Sequence, residues 1–139
     1  MKILILIAAW TLWCVCLKGA EPIVAAVICA EARGEGHVGM AAVWEVIWTR
    51  SKLANRSPSW VVTRPQHFSS LNGMTPTKLI QDMSRTPQWE EALEIASRPP
   101  KGSLTHGATH FDRSDRRPDW AAGLKPVAII GHHSFYCLK

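Results

Sequence analysis

Residues 28–50 read ICAEARGEGHVGMAAVWEVIWTR, and the interpretation of this stretch decides the fold. An apolar run containing Ile23, Val24, Val27 and Ile28 leads into it and brings Glu31 to the run's last helical turn. Gly34, Gly36 and Gly39 then predict a helix break at which the chain reverses closely on itself, because glycine reaches positive φ at no steric cost. A second helix is expected from about Val38 to Leu53. At about 100° per residue, Met40, Val43, Trp44, Ile47 and Trp48 share one face of it. Glu45, Thr49 and Lys52 share another, which puts Glu45 in solvent. Two helices therefore pack with a glycine corner between them, and Glu31 sits beside that corner.

That position has chemical consequences. A carboxyl at a helix C-terminus meets the negative end of the helix dipole. Val27 and Ile28, one turn back, partly desolvate it. Both effects favour the protonated form, which a general acid for glycosidic cleavage requires. The same place also suits an ordinary helix-end carboxylate, and the residues by themselves leave both readings open. Glu35, in a solvated glycine-flanked turn, is expected to be ionised.

The stretch EARGEGHVGMAAVWEVIWTR resembles the signature of the SleB-type, or spore-cortex-lytic, cell wall hydrolases, in which E-A-x-G-E precedes a helix ending in Asn-Arg. ATHF at residues 108–111 and IGHHSFY at residues 130–136 resemble two further family segments, and HFSS within residues 66–70 resembles the family's Q-F-S. The matches keep their order over nearly the whole chain after the first twenty residues. Thr49 stands where Asn is usual, His67 where Gln is usual, Asp112 where His is common and His132 where Asn is usual. The resemblance implies a small, mainly helical α+β domain with a short antiparallel sheet, similar to a reduced lysozyme. It implies cleavage of peptidoglycan between N-acetylmuramic acid and N-acetylglucosamine as a lytic transglycosylase, with Glu31 as the single catalytic acid and no cofactor. Phe68, Ser69, His110, His133 and Tyr136 are the substrate-binding candidates it implies. For each histidine, a merely structural hydrogen-bonded role stays open.

At 139 residues the chain holds one domain with a real core. A hydrophobic share of 47% with 19% charged residues is globular and excludes a disordered chain. The net charge of +5 suits an anionic envelope polymer. No basic stripe interleaves with aromatics, so nucleic acid is not expected as a partner. Among the seven tryptophans, Trp60, Trp89 and Trp120 lie in the body, where they either line a sugar-binding groove or join the core.

Residues 1–20 read as an export signal: Lys2, an apolar run from Ile3 to Leu17, then Lys18-Gly19-Ala20. The run is shorter than the roughly 20 residues that span a bilayer. A removable signal is favoured over an anchor, although Lys18 makes the cleavage site imperfect. The remaining domain, residues 21–139, is expected to act as a monomer in the periplasm, cell wall or medium, touching membrane only if the signal is retained. It holds Cys29 and Cys137, which either pair in an oxidising compartment or remain free thiols.

Further along, Ser57-Pro58 predicts a short helical turn to Thr63. Residues 64–73 read as a polar loop carrying an exposed aromatic, Phe68. Thr75-Pro76 and Thr86-Pro87 each predict a capped helix start, with Trp89, Leu93 and Ala96 forming an apolar stripe. Thr105–Phe111 and Val127–Leu138 read as an antiparallel strand pair joined by a charged loop that carries Trp120. A rival reading uses His106, His110, His132, His133, Asp112 and Asp115 as zinc ligands of a wall amidase. Their spacing differs from the helical H-E-x-x-H pattern, so no metal site is expected. A third reading is a glycan-binding module without catalysis.

Overall fold

The computed structural model describes residues 19–139; the export signal proposed for residues 1–20 lies almost entirely outside them. Five α-helices precede a three-stranded antiparallel sheet, so the mainly helical α+β class is observed. Among the described residues no helix is long and apolar enough to cross a membrane.

Helix α1, Pro22–Ala32, opens with proline in its first turn, where a missing N–H costs nothing. Val24, Ala25, Ala26, Val27, Ile28 and Cys29 are all buried. A helix buried nearly all round belongs at the centre of a core, and α1 indeed packs against every other helix of the fold. A short 3-10 turn, Arg33–Glu35, and Gly36 at φ 67° then reverse the chain. Helix α2, Gly36–Ala54, follows and ends on Asn55 in the left-handed region.

Helix α2 is buried on two faces. Met40, Val43, Trp44 and Ile47 join the α1 core, whereas Ala42 and Val46 pack with Ala108 and Phe135 under the sheet. Glu45 does not face solvent as its helical position suggested. It is 6% exposed and accepts bonds from Leu104 N–H (2.9 Å), Thr105 N–H (2.9 Å) and the Thr105 hydroxyl (3.0 Å). The loop before the sheet folds back over this face, and Glu45 satisfies its buried donors.

Ser57 caps α3, Pro58–Val62, and Thr75 caps α4, Pro76–Met83, each through its hydroxyl. Thr86 does not cap α5, which begins later and spans Trp89–Ala96. Its hydroxyl donates instead to the Met83 carbonyl (2.7 Å) and lies 3.2 Å from Cys29 Sγ. Among the described residues the two cysteines are not paired with each other: Cys29 is buried in α1, whereas Cys137 is exposed beside the carbonyl of Gly107.

The sheet has three strands, not a pair. β1 is His110–Arg113, β2 Ala128–Ile130 and β3 His133–Tyr136, in the order β1-β3-β2. Ile130 pairs with His133, so the run read as one strand is a hairpin with a two-residue turn, Gly131-His132. Gly131 has φ 57°, the conformation that such tight turns demand. In β1, Phe111 lies opposite Phe135 and touches both cores.

Candidate active site

Glu31 stands half-buried at the end of α1. Its Oε1 accepts a hydrogen bond from Ser70 N–H at 3.1 Å and one from the Ser69 hydroxyl at 3.4 Å. No hydrogen bond from the described residues reaches Oε2. The 3-10 turn Ser69–Leu71 therefore holds one oxygen and leaves the other free.

Two open clefts meet at this carboxyl. One, of about 600 Å³, passes Arg50, His67, His110, Asp112 and Trp120. The other, of about 460 Å³, is bounded by Arg33, Glu35 and His132. Glu31, Arg113 and His133 line both, so the clefts form one groove with Glu31 inside it rather than at an end. A separate, predominantly apolar cavity of about 420 Å³ lies against α2 beside Trp44, Ile95 and Leu104. Its carboxyls are Glu45, with both oxygens bonded to residues 104–105, and Glu94 on the exposed side of α5.

Glu35 is committed elsewhere. Its Oε2 accepts from His132 N–H at 2.8 Å, and its Oε1 lies 3.1 Å from His132 Nδ1. The backbone bond holds the Glu35 carboxyl below its usual range; burial opposes this, and the histidine ring adds to it. Glu35 thus favours its ionised form, but through these bonds and not through solvation: its side chain is only 14% exposed. Two glycines make the approach possible. A Cβ on Gly131 would lie 1.9 Å from Glu35 Oε2, and one on Gly39 would lie 2.2 Å from Glu35 Cβ.

Of the residues that the resemblance singled out, Ser69, Phe68, His110 and His133 line the groove with Glu31. Phe68 is not an exposed aromatic; it is 3% exposed and packs into the α1 core. Its ring lies 5.4 Å beneath the Arg50 guanidinium. His110 is half-buried against Trp120, with ring centroids 5.4 Å apart. Burial, then the charge of Arg50, then His67, hold its pKa below the ordinary histidine value. His133 is buried, and its Nδ1 has no hydrogen-bond partner among the described residues. Tyr136 is not a lining residue: it is buried, edge-on against Trp120 at 5.4 Å.

Sequence reasoning passed over the cations. Arg50 and Arg113 both line the groove, and the only signal for Arg50 was its place at the end of the family-like helix. Arg50 donates to His67 Nδ1. Burial, then the charge of Arg50, lower the pKa of His67, with a backbone contact to Val61 opposing and Arg64 reinforcing. The zinc ligand set does not assemble: among the described residues no three His, Cys, Asp or Glu side chains converge. His106 lies in a turn at φ 51°, outside the strand that holds His110.

A central helix ending in a carboxyl, a glycine corner and a hairpin docked on that corner thus frame the groove. The family model for cell wall hydrolases matches residues 34–136, and the chain belongs to that family. The matched region begins just after Glu31. The fold is also similar to two crystal structures. One is the catalytic domain of the Bacillus cereus SleB protein, with 23% identity, TM-score 0.57, and coverage of 83% of this chain and 87% of that one. The other is the catalytic domain of the germination-specific lytic transglycosylase SleB from Bacillus anthracis, with 22% identity, TM-score 0.58, and coverage of 83% and 91%. A search of curated proteins returns no match.

Proposed function

We propose that this cell wall hydrolase cleaves the glycan strand of peptidoglycan between N-acetylmuramic acid and N-acetylglucosamine, as a lytic transglycosylase with Glu31 as its general acid. One observation carries the reading: Glu31 lies within a continuous groove with Oε1 held by Ser69 and Ser70 and Oε2 unbonded. Oε2 gives its proton to the departing glycosidic oxygen. The muramic acid C6 hydroxyl then closes on C1, returning its proton to the Glu31 carboxylate and leaving an anhydro sugar. Hydrolytic glycosidases usually need a second carboxylate. Here both oxygens of Glu35 are engaged by His132, which supports a single-acid route. Action on the wall requires export, the role read for residues 1–20.

The test is Glu31→Gln in release of soluble glycan from purified walls, with mass spectrometry of the products. The variant should fold and lose about 10²–10⁴-fold of the rate, the usual contribution of a general acid. A loss smaller than about tenfold removes Glu31 from the mechanism and reopens the non-catalytic reading. Reducing ends without anhydro sugar would leave cleavage intact but overturn the transglycosylase step.

A further inference from the structure

One arginine and two histidines build the wall between the groove and a neighbouring cleft. Arg50, His67 and His110 line the groove on one side. On the other they line a cleft of about 450 Å³ that also presents Leu53, Trp60 and Lys139. No Asp or Glu lines this cleft. Among the described residues Arg50 has no carboxylate within 4.0 Å. Its guanidinium is half-buried and rests on the Phe68 ring and His67 Nδ1. Arginine cannot shed its proton in a protein, so its charge is left uncompensated. His67 stands where the resembling family has Gln. It accepts from Arg50 through a neutral nitrogen, which orients the guanidinium without cancelling its charge. Arg64 and Arg56 sit over the Trp60 ring at 4.7 and 5.7 Å, adding cations around an aromatic that is 37% exposed.

An uncompensated guanidinium beside exposed Leu53 and Trp60 matches a ligand that is at once anionic and apolar. Most of a wall glycan's carboxylates belong to its peptide stems, whose small residues are apolar. We propose that this side cleft receives the peptide stem of the substrate, with Arg50 pairing a stem carboxylate while Trp60 and Leu53 pack on the stem's apolar side chains. The assignment rests on the glycan-cleaving function proposed above and adds that the enzyme selects peptide-substituted strands over bare ones. A guanidinium–carboxylate pair is charge-assisted and bidentate, which makes it selective as well as attractive.

The test compares two soluble preparations from one wall: strands with their peptides, and strands stripped of them by an amidase. Binding is measured by titration calorimetry with the full chain carrying Glu31→Gln, and cleavage is measured with wild type. Peptide-bearing strands should bind about tenfold or more tightly than stripped strands. Adding Arg50→Gln should abolish that preference. Trp60→Ala should reduce it, with urea unfolding used to check that the variant remains folded. Equal binding, or preference for stripped strands, overturns the stem subsite while leaving glycan cleavage standing. Failure to bind or cleave either preparation overturns the proposed function and the subsite with it.

Discussion

Replacing Gly131 with alanine tests the contact that joins the glycine corner to the hairpin. The new Cβ would fall 1.9 Å from Glu35 Oε2, well inside van der Waals contact, so the Glu35 side chain has to withdraw. At φ 57° the alanine also occupies the left-handed region, which costs about 1–2 kcal/mol. Withdrawal forfeits a charge-assisted hydrogen bond to His132 worth about 1.5–3 kcal/mol. Gly131→Ala should therefore destabilise the fold by about 2.5–5 kcal/mol. Urea unfolding of wild type, Gly131→Ala, Glu35→Ala and the double variant separates the two effects. With Glu35 truncated there is nothing left to displace, and only the backbone strain remains. The double variant should thus be more stable than additivity predicts by about 1.5–3 kcal/mol. Strict additivity, or a cost below about 1 kcal/mol for Gly131→Ala alone, would refute the clamp.

The clamp also has a pH signature. Glu35's folded pKa is depressed below the unfolded value of about 4.3, so its stabilisation is fully present above that pH and is lost as pH falls through the folded value. The stability advantage of wild type over Glu35→Gln should shrink on acidification below about pH 4; a growing difference in acid unfolding would contradict this. Glu45→Ala leaves the buried donors of Leu104 and Thr105 without an acceptor and should cost about 3–5 kcal/mol in urea unfolding. Glu45→Gln, with one amide oxygen in place of two, should cost roughly half as much. If alanine there costs less than about 1 kcal/mol, the loop does not depend on Glu45. Finally, EDTA should leave wall cleavage unchanged; elemental analysis finding about one zinc per chain, with activity lost on its removal, would move the function to an amidase.

The helical half was legible because its signals are local. Ser57 and Thr75 mark helix starts through backbone chemistry that operates within four residues. The glycines between Glu31 and Met40 announced the corner, although not the reason for Gly39, which is the proximity of Glu35. Errors gathered where distant segments decide the outcome. Glu45 looked solvent-facing on a helical wheel, and only the return of residues 104–105 buries it. Phe68 looked exposed in a polar loop, yet its ring had an apolar core to enter. Thr86-Pro87 offered a start signal as good as Thr75-Pro76, but the Thr86 hydroxyl found Met83 and Cys29 instead. Gly131 was hidden in an apolar run that continues on both sides of it, so one strand was read where two occur. Within the site, Glu31 stood out by its place on a helix, whereas Arg50, which belongs to the end of a different helix, acquires its meaning only beside His67 and Phe68.

The bond between Glu35 and His132 spans 97 positions of the chain. Contacts of such long separation carry the largest loop-closure cost and form late, after helices have consolidated through near neighbours. During synthesis, α1 to α5 leave the ribosome before β3 exists. A nascent or prematurely terminated chain ending before residue 130 would carry Glu31 and the turn that holds its Oε1, but neither His133 nor the hairpin that forms the opposite bank. The order of the chain thus withholds the second bank of the groove until β3 has been made.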